Sequence, residues 1–422
     1  MPHNCSYRRA DAVAVEFRSA PNDHGQPVSL AQTPDGAAAR GSSVLIFAPS
    51  PIGGLTEHVH YQATELARRG FAVTVLCRAD FAKPAAATDY RQERRLLTRP
   101  GSSLAARLLR AALGIVNWYI LAWRIVRLRP GFVLLEANNE YYAVAWFLPH
   151  LLLRLAGVVT VTNFHDPVRG PHRGLAWLSH AVNIRLAYAA LDGGLIHGPP
   201  PPAAFLPARL VIRQAPFGPF TDLLGKAPPF DLRERLGIAR EAFVVLAFGH
   251  TADRKNLDLV IAALAEVPQA HLVVAGRATS VSDRPIAFYA DCARRAGVAD
   301  RVQFVTEFIA EADIPAYFAA ADAIALTYAR GFVSQSGVLQ VAALWDRPLL
   351  ASGGSGPLCD TVEAFDLGLT IEPGSVAAIT TGLRRLIDHP QDRAANFARY
   401  RATTSWGVNI DRLLEVVGAV RG

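Results

Sequence analysis

The chain has 422 residues, 51% of them hydrophobic, a formal net charge of +7 and four cysteines. That is enough apolar material to bury a full core in each of two ordinary domains, whereas a single domain of this length would be unusually large. Cys5, Cys77, Cys292 and Cys359 lie far apart with no Cys-x-x-Cys, which removes a disulfide framework and a zinc knuckle and points to reduced thiols in a cytoplasmic protein.

From the N-terminus, residues 1–41 are rich in Ala, Pro, Gly and Asp and hold no continuous apolar segment, so they read as a disordered tail and not as a secretory signal. From Ser43 the grammar is strand, turn, helix, strand. "VLIFAPSP" is an apolar run, "IGG" turns, and "TEHVHYQATELARR" places Val59, Ala63, Leu66 and Ala67 at helical spacing; Gly70 then stops the helix before "FAVTVL". Such a βαβ unit implies a parallel sheet whose working edge is at the strand C-termini. "AALGIVNWYILAW" (111–123) is uncharged but short of the roughly 20 apolar residues of a spanning helix, and "AVAWFLPHLLLRLAGVV" is broken by Pro149, His150 and Arg154, so no span is predicted. Further strands are expected at 131–136 and 157–164, with "GGLIHG" (193–198) as the last of this half.

The Pro- and Gly-dense segments "PPPPAAFLP" and "QAPFGPFTDLLGKAPPF" mark a hinge. The same grammar then restarts: strand "FVVLAFG" (243–249), loop "HTADRK", helix from "NLDLVIAALAEV", strand "AHLVVAG" (270–276). "RVQFVTEF", the helix "ADIPAYFAAA", the strand "AIALTY", a helix within "FVSQSGVLQVAALWD", and the strands "RPLLAS" and "LGLTIEP" complete it. The expected fold class is α/β, two Rossmann-like domains facing each other across a cleft: 42–218 on the N-terminal side, 219–400 on the C-terminal side, and 401–422 a helix returning to the first domain.

Charge divides unevenly between these halves. Residues 1–218 hold 23 Lys and Arg against 13 Asp and Glu, a net +10, while 219–422 hold 20 against 23, a net −3. A basic first half suits an anionic membrane surface or an anionic substrate; nucleic acid is the weakest reading, because no RNA- or DNA-binding module accompanies the charge. Arg107, Arg110, Arg124 and Arg127 flank the apolar stretch at 111–123, a pattern of snorkelling cations that fits a peripheral membrane contact and equally a buried helix with solvated ends.

Three turns can carry chemistry. Gly53 and Gly54 follow a buried strand, where a glycine either serves the turn or lets backbone N–H groups approach a ligand. Arg254 and Lys255 precede a helix, against its dipole, where they could reach a phosphate. Ser336 opens a helix with no carboxylate nearby, so it is an N-cap, an anion seat, or both. His165 in "NFHDP" stands just beyond a strand end, where it is either a surface side chain or a cleft residue oriented by Asp166. No Asp-x-Asp, GxxxxGK[ST] or G-x-S-x-G occurs, which disfavours a metal-bridged donor, a phosphate-loop NTPase and an α/β-hydrolase.

"PSPIGGLTEHVHYQATELARRGFAVTVL" resembles the N-terminal turn and helix of the family 4 glycosyltransferases of the GT-B fold. "NFHDP", "APFGPF", "FGHTADRKNLDLVIAAL", "YFAAADAIALTYARGFVSQSGVLQVAALWDRPLLAS" and "SW" (405–406) match that family's remaining segments in order, over about residues 43–420. The resemblance implies a retaining, metal-independent transfer of sugar from a nucleotide-diphosphate donor. It implies a donor set of Gly53, Gly54, Gly249, Arg254, Lys255, Tyr328, Gln335, Ser336, Gly337 and Gln340, with His165 against the transferred sugar or the acceptor, and no metal or other cofactor. Val333 and Val341 stand where many members carry paired glutamates, and Ala252 stands at about the place of the usual donor-loop arginine. The expected acceptor is a glycan or a lipid-linked precursor, at the inner face of an anionic membrane. Two alternatives are a non-catalytic nucleotide-sugar-binding partner subunit and a GT-B sugar-nucleotide epimerase.

Overall fold

A computed structural model describes residues 42–422 except 84, 102, 137–139, 141, 166–174, 201–205, 278–282 and 308. The tail reading for 1–41 and the orienting role considered for Asp166 therefore lie outside the described residues.

The first half is a seven-stranded sheet built from β1 (Ser43–Ala48), β2 (Ala72–Arg78), β3 (Arg91–Leu96), β4 (Phe132–Leu135), β5 (Val159–Phe164), β6 (Gly193–Ile196) and β7 (Val211–Gln214). Its order is β3-β2-β1-β4-β5-β6-β7, parallel throughout. The interior strands are the apolar runs seen in the sequence, because a parallel sheet covered on both faces buries every side chain. The two edge strands escape that signal. β3 reads "RQERRL", with only Glu93 and Leu96 buried, and β7 reads "VIRQ", so the sheet does not end at "GGLIHG" as the apolar pattern implied.

The second half repeats the plan with β8 (Phe243–Phe248), β9 (Ala270–Ala275), β10 (Val302–Val305), β11 (Ala323–Thr327), β12 (Leu349–Ser352) and β13 (Gly368–Thr370), ordered β10-β9-β8-β11-β12-β13 and again all parallel. Helices cover both faces of each sheet.

On one face of the first sheet, Val59, Ala63 and Leu66 of the helix Gly54–Arg68 meet Ile410, Leu413 and Val416 of the C-terminal helix Trp406–Arg421. The last helix of the chain thus completes the core of the first half. Trp406 anchors it: the ring stacks on Tyr61, its Nε1–H donates to Pro219 O at 2.8 Å, and a Cβ on Gly218 would lie 2.6 Å from the indole. Only glycine fits there.

The other face carries the helices Leu104–Leu128, Ala143–Leu155 and Leu175–Ala189 side by side. Trp118 stacks on Trp146 with ring centroids 3.9 Å apart, and Tyr119 donates to Ala145 O. The first of these helices runs 25 residues, nearly twice the uncharged stretch read at 111–123, and is long and apolar enough to cross a membrane by length and composition. Its buried residues all come from Asn117 onward and pack on the sheet, so its C-terminal half lies along the protein.

Candidate active site

Parallel strands deliver their C-terminal residues to one edge, and three neighbouring strands do so here. Glu136 follows β4, His165 follows β5 and His197 follows β6, while His58 comes in from the helix Gly54–Arg68. Glu136 is fully buried. Its Oε1 accepts from His165 Nε2–H at 2.9 Å and its Oε2 from His58 Nδ1–H at 3.4 Å. Burial alone would raise its carboxyl, but the neighbouring His58 and the hydrogen bonds from His165 and His58 hold it below the usual range.

His197 Nδ1–H donates to Ala215 O at 3.1 Å, just past β7. These three outward bonds each use an N–H, which leaves His165 Nδ1 and His197 Nε2 facing each other 3.2 Å apart. A hydrogen bond between them needs one further proton in the chain. Burial, with His165 and His58 adding to it, pushes His197 well below the ordinary histidine range, and burial likewise lowers His58.

His165 has 14% of its side chain exposed and both ring nitrogens engaged, so it is a fixed member of a network and not a loose surface histidine. Among the described residues, His58, His165 and His197 are also the set that could hold a metal ion, each offering a ring nitrogen within 4.8 Å of the others. Phe217 and Trp406 close the cluster with edge-on rings 5.0 Å from His58.

In the second half, Gly249 follows β8 with φ +82°, a left-handed backbone that suits glycine. A Cβ there would approach Lys255 Nζ at 3.7 Å and Val338 Cγ2 at 3.6 Å, so the β8 loop, Lys255 and the start of the short helix Gly337–Ala342 converge. Lys255 is 8% exposed and its Nζ donates to Phe248 O at 2.5 Å. Burial, followed by the nearby Arg254, lowers the ammonium to about 7. Arg254 is exposed beside it, and its carbonyl accepts from Ala329 N–H at 2.7 Å. Lys255 is thus a buried ammonium that forms no ion pair among the described residues.

Three expected donor contacts turn inward. The Ser336 hydroxyl is buried against the Tyr328 hydroxyl at 3.1 Å, and the Ser336 N–H is taken by Gln335 Oε1 at 2.9 Å. Tyr328 is itself buried and stacks on Phe332. Gln340 is fully buried and accepts from Tyr400 at 2.8 Å. The reason is the shortness of this helix, which is squeezed between β11 and the helix Ala394–Thr403 and has little exposed surface. Gly337 at its start remains as a backbone donor.

The two halves approach each other closely at Gly198. A Cβ on Gly198, directly after His197, would lie 3.1 Å from Pro357, whose carbonyl accepts from Gln335 Nε2 at 3.4 Å. Gly53 has φ +85° and, with Gly54, is exposed at the mouth of the first helix. Near them Lys83 pairs with Glu57 at 2.8 Å and with Glu311 of the second half at 3.1 Å. Sequence reasoning missed His58, Glu136 and His197. The available signal was a carboxylate ending the apolar run "FVLLE" and a histidine ending "GGLIH".

Two family models match the chain in succession: "Glycosyltransferase Family 4" over residues 52–194 and "Glycosyl transferases group 1" over residues 242–389. The D-inositol 3-phosphate glycosyltransferase of Thermomonospora curvata is 30% identical over 204 residues, 44% of either chain. The 2-deoxystreptamine glucosyltransferase of Streptomyces kanamyceticus is 29% identical over 180 residues, 42% of this chain and 43% of that one. The matched stretch spans less than half the length of these relatives. Among solved structures, Anabaena HepE in complex with UDP and glucose superimposes with a TM-score of 0.67 at 20% identity, covering 90% of this chain and 99% of that one. Sucrose-phosphate synthase of Thermosynechococcus elongatus does so with a TM-score of 0.68 at 16% identity and the same coverage. At such identities the likeness is one of fold.

Proposed function

The chain belongs to the family 4-like glycosyltransferases of the GT-B fold, and on that footing we propose that it moves a sugar, with retention at the anomeric carbon and without a bridging metal, from a nucleotide-diphosphate donor to a lipid-linked or polysaccharide-precursor acceptor. The observation that carries this reading is Lys255: a buried, carboxylate-free ammonium beside a left-handed glycine and a helix start. A diphosphate is a fitting counter-charge for such an ammonium. Lys255 and the exposed Arg254 neutralise the charge that grows on the leaving nucleotide, the backbone at Gly337 adds an N–H donor, and Gly53 and Gly54 close from the first half. His165, fixed by Glu136, presents its ring to the transferred sugar or the acceptor hydroxyl.

The acceptor is taken up on the first half, which is basic, and the reaction runs on the cytoplasmic side of an anionic membrane. The free thiols of Cys77, Cys292 and Cys359 suit that compartment.

Thermal-shift and calorimetric screening across uridine, guanosine and adenosine diphosphate sugars tests the reading. One class should stabilise the protein, and the same class should show transfer or slow hydrolysis. Binding with no turnover of any kind would convert the protein into a nucleotide-sugar-binding subunit, a reading favoured by Val333 and Val341 at the glutamate positions. Isomerised donor in the absence of acceptor would mark an epimerase.

A further inference from the structure

The three helices on the outer face of the first sheet bury one side and leave the other apolar, against the usual pattern of a polar solvent face. On Leu104–Leu128, Val116, Tyr119, Trp123 and Val126 recur at helical spacing and are all exposed. On Ala143–Leu155 the outward stripe is Val144, Leu148, Leu152 and Leu155, the last 70% exposed. Trp177, Leu178 and Val182 extend it onto Leu175–Ala189. The N-terminal half of the long helix goes further: no residue from Leu104 to Val116 is buried, and Leu104 and Leu108 stand 69% and 63% exposed. Singly exposed apolar residues are ordinary, but contiguous stripes on three adjacent helices are not.

The charge on this face has one sign. None of the three helices contains an Asp or a Glu, whereas arginines stand at 107, 110, 124, 127, 154 and 185. Arg124 and Arg154 are spent on Glu93 and Asp192. Among the described residues Arg107, Arg110 and Arg127 are exposed and form no ion pair. A shallow surface hollow is lined by Trp123, Val126, Arg127 and Arg129, a pairing of arginine with tryptophan that suits the phosphate of a headgroup at the level where tryptophan prefers to sit.

We infer that this face is a monotopic membrane-docking surface, which lies on an anionic bilayer with the Leu104–Val116 segment inserted among the acyl chains. A second copy of the chain is a poorer occupant, since a two-fold contact would set arginine against arginine with no carboxylate between them. The helix does not span the bilayer, because from Asn117 its inner side is committed to Leu45, Phe47 and Val133 of the sheet. The inference rests on the proposed reading only for the claim that the docked face brings the acceptor-side half to its acceptor.

Flotation of the full chain with phosphatidylglycerol vesicles and with phosphatidylcholine vesicles tests it, with brominated acyl chains reporting the depth of Trp123. Binding to the anionic vesicles, at least about tenfold weaker to the zwitterionic ones and weakened at high salt, is expected. Leu108→Glu with Leu152→Glu should reduce binding about tenfold or more, and Trp123→Phe combined with Trp177→Phe should remove most of the bromine quenching. Both variants should keep wild-type donor binding in calorimetry without lipid. Failure of the wild-type protein to float with either vesicle overturns the inference, as does quenching that survives the double substitution Trp123→Phe with Trp177→Phe. Loss of a dimer in Leu108→Glu, with vesicle binding unchanged, would give the face to a second copy instead. A wild-type protein that floats but binds no nucleotide sugar would sink the transferase reading and leave the membrane surface standing.

Discussion

Lys255 is the residue on which the proposed donor site turns. An exposed lysine titrates near 10.4, but burial and Arg254 bring this one to about 7. If the donor diphosphate seats there as proposed, it favours the charged form, so above about pH 7 donor binding should be accompanied by uptake of a proton. Donor affinity should therefore fall as pH rises from about 7 to about 9, by up to about tenfold per unit. Calorimetry in two buffers of different ionisation enthalpy should detect the proton uptake. Lys255→Arg, always charged, should flatten the dependence, and Lys255→Ala should weaken donor binding about tenfold or more. A flat pH profile for the wild-type protein would remove Lys255 from the diphosphate. Its motif position was legible in "HTADRKN"; its burial was not, because the Phe248 carbonyl and Val338 that enclose it come from strand packing and from 83 residues downstream.

Among elements, the ends of β4, β5 and β6 form a unit. Glu136 serves both His58 and His165, so Glu136→Gln turns one accepting oxygen into a donor facing an N–H and should cost about 1–3 kcal/mol of stability. It should also lower transfer along with His165→Ala, by about tenfold or more, while leaving nucleotide binding unchanged. Denaturant titration and paired transfer and binding assays check this; full transfer in His165→Ala would dismiss the ring from the reaction. His165 was visible from its place after a strand. Its partners were not, since Glu136 and His197 become neighbours only through the strand order β4-β5-β6, and His58 only because its helix packs across those ends.

In the whole molecule, Lys83 ties the halves. It is nearly buried between Glu57 of the first half and Glu311 of the second, and the two carboxylates raise its ammonium although burial alone would lower it. Lys83→Met should leave Glu57 without its cation, cost about 1–3 kcal/mol, and let the halves part. Small-angle scattering should then show a larger radius of gyration; an unchanged radius with lost stability would make the contact merely local. The two apolar, parallel-strand halves and the order of the glycine, histidine and lysine turns were set by the sequence itself, because hydrophobic periodicity and turn residues act over a few neighbours. The edge strands β3 and β7, the return of Trp406 to the first half, the inward turn of Ser336, Tyr328 and Gln340, and the apolar outer face of three helices were decided only by tertiary structure. Each depends on which element covers which, and that is a contest of burial between segments tens to hundreds of residues apart, which no local pattern records.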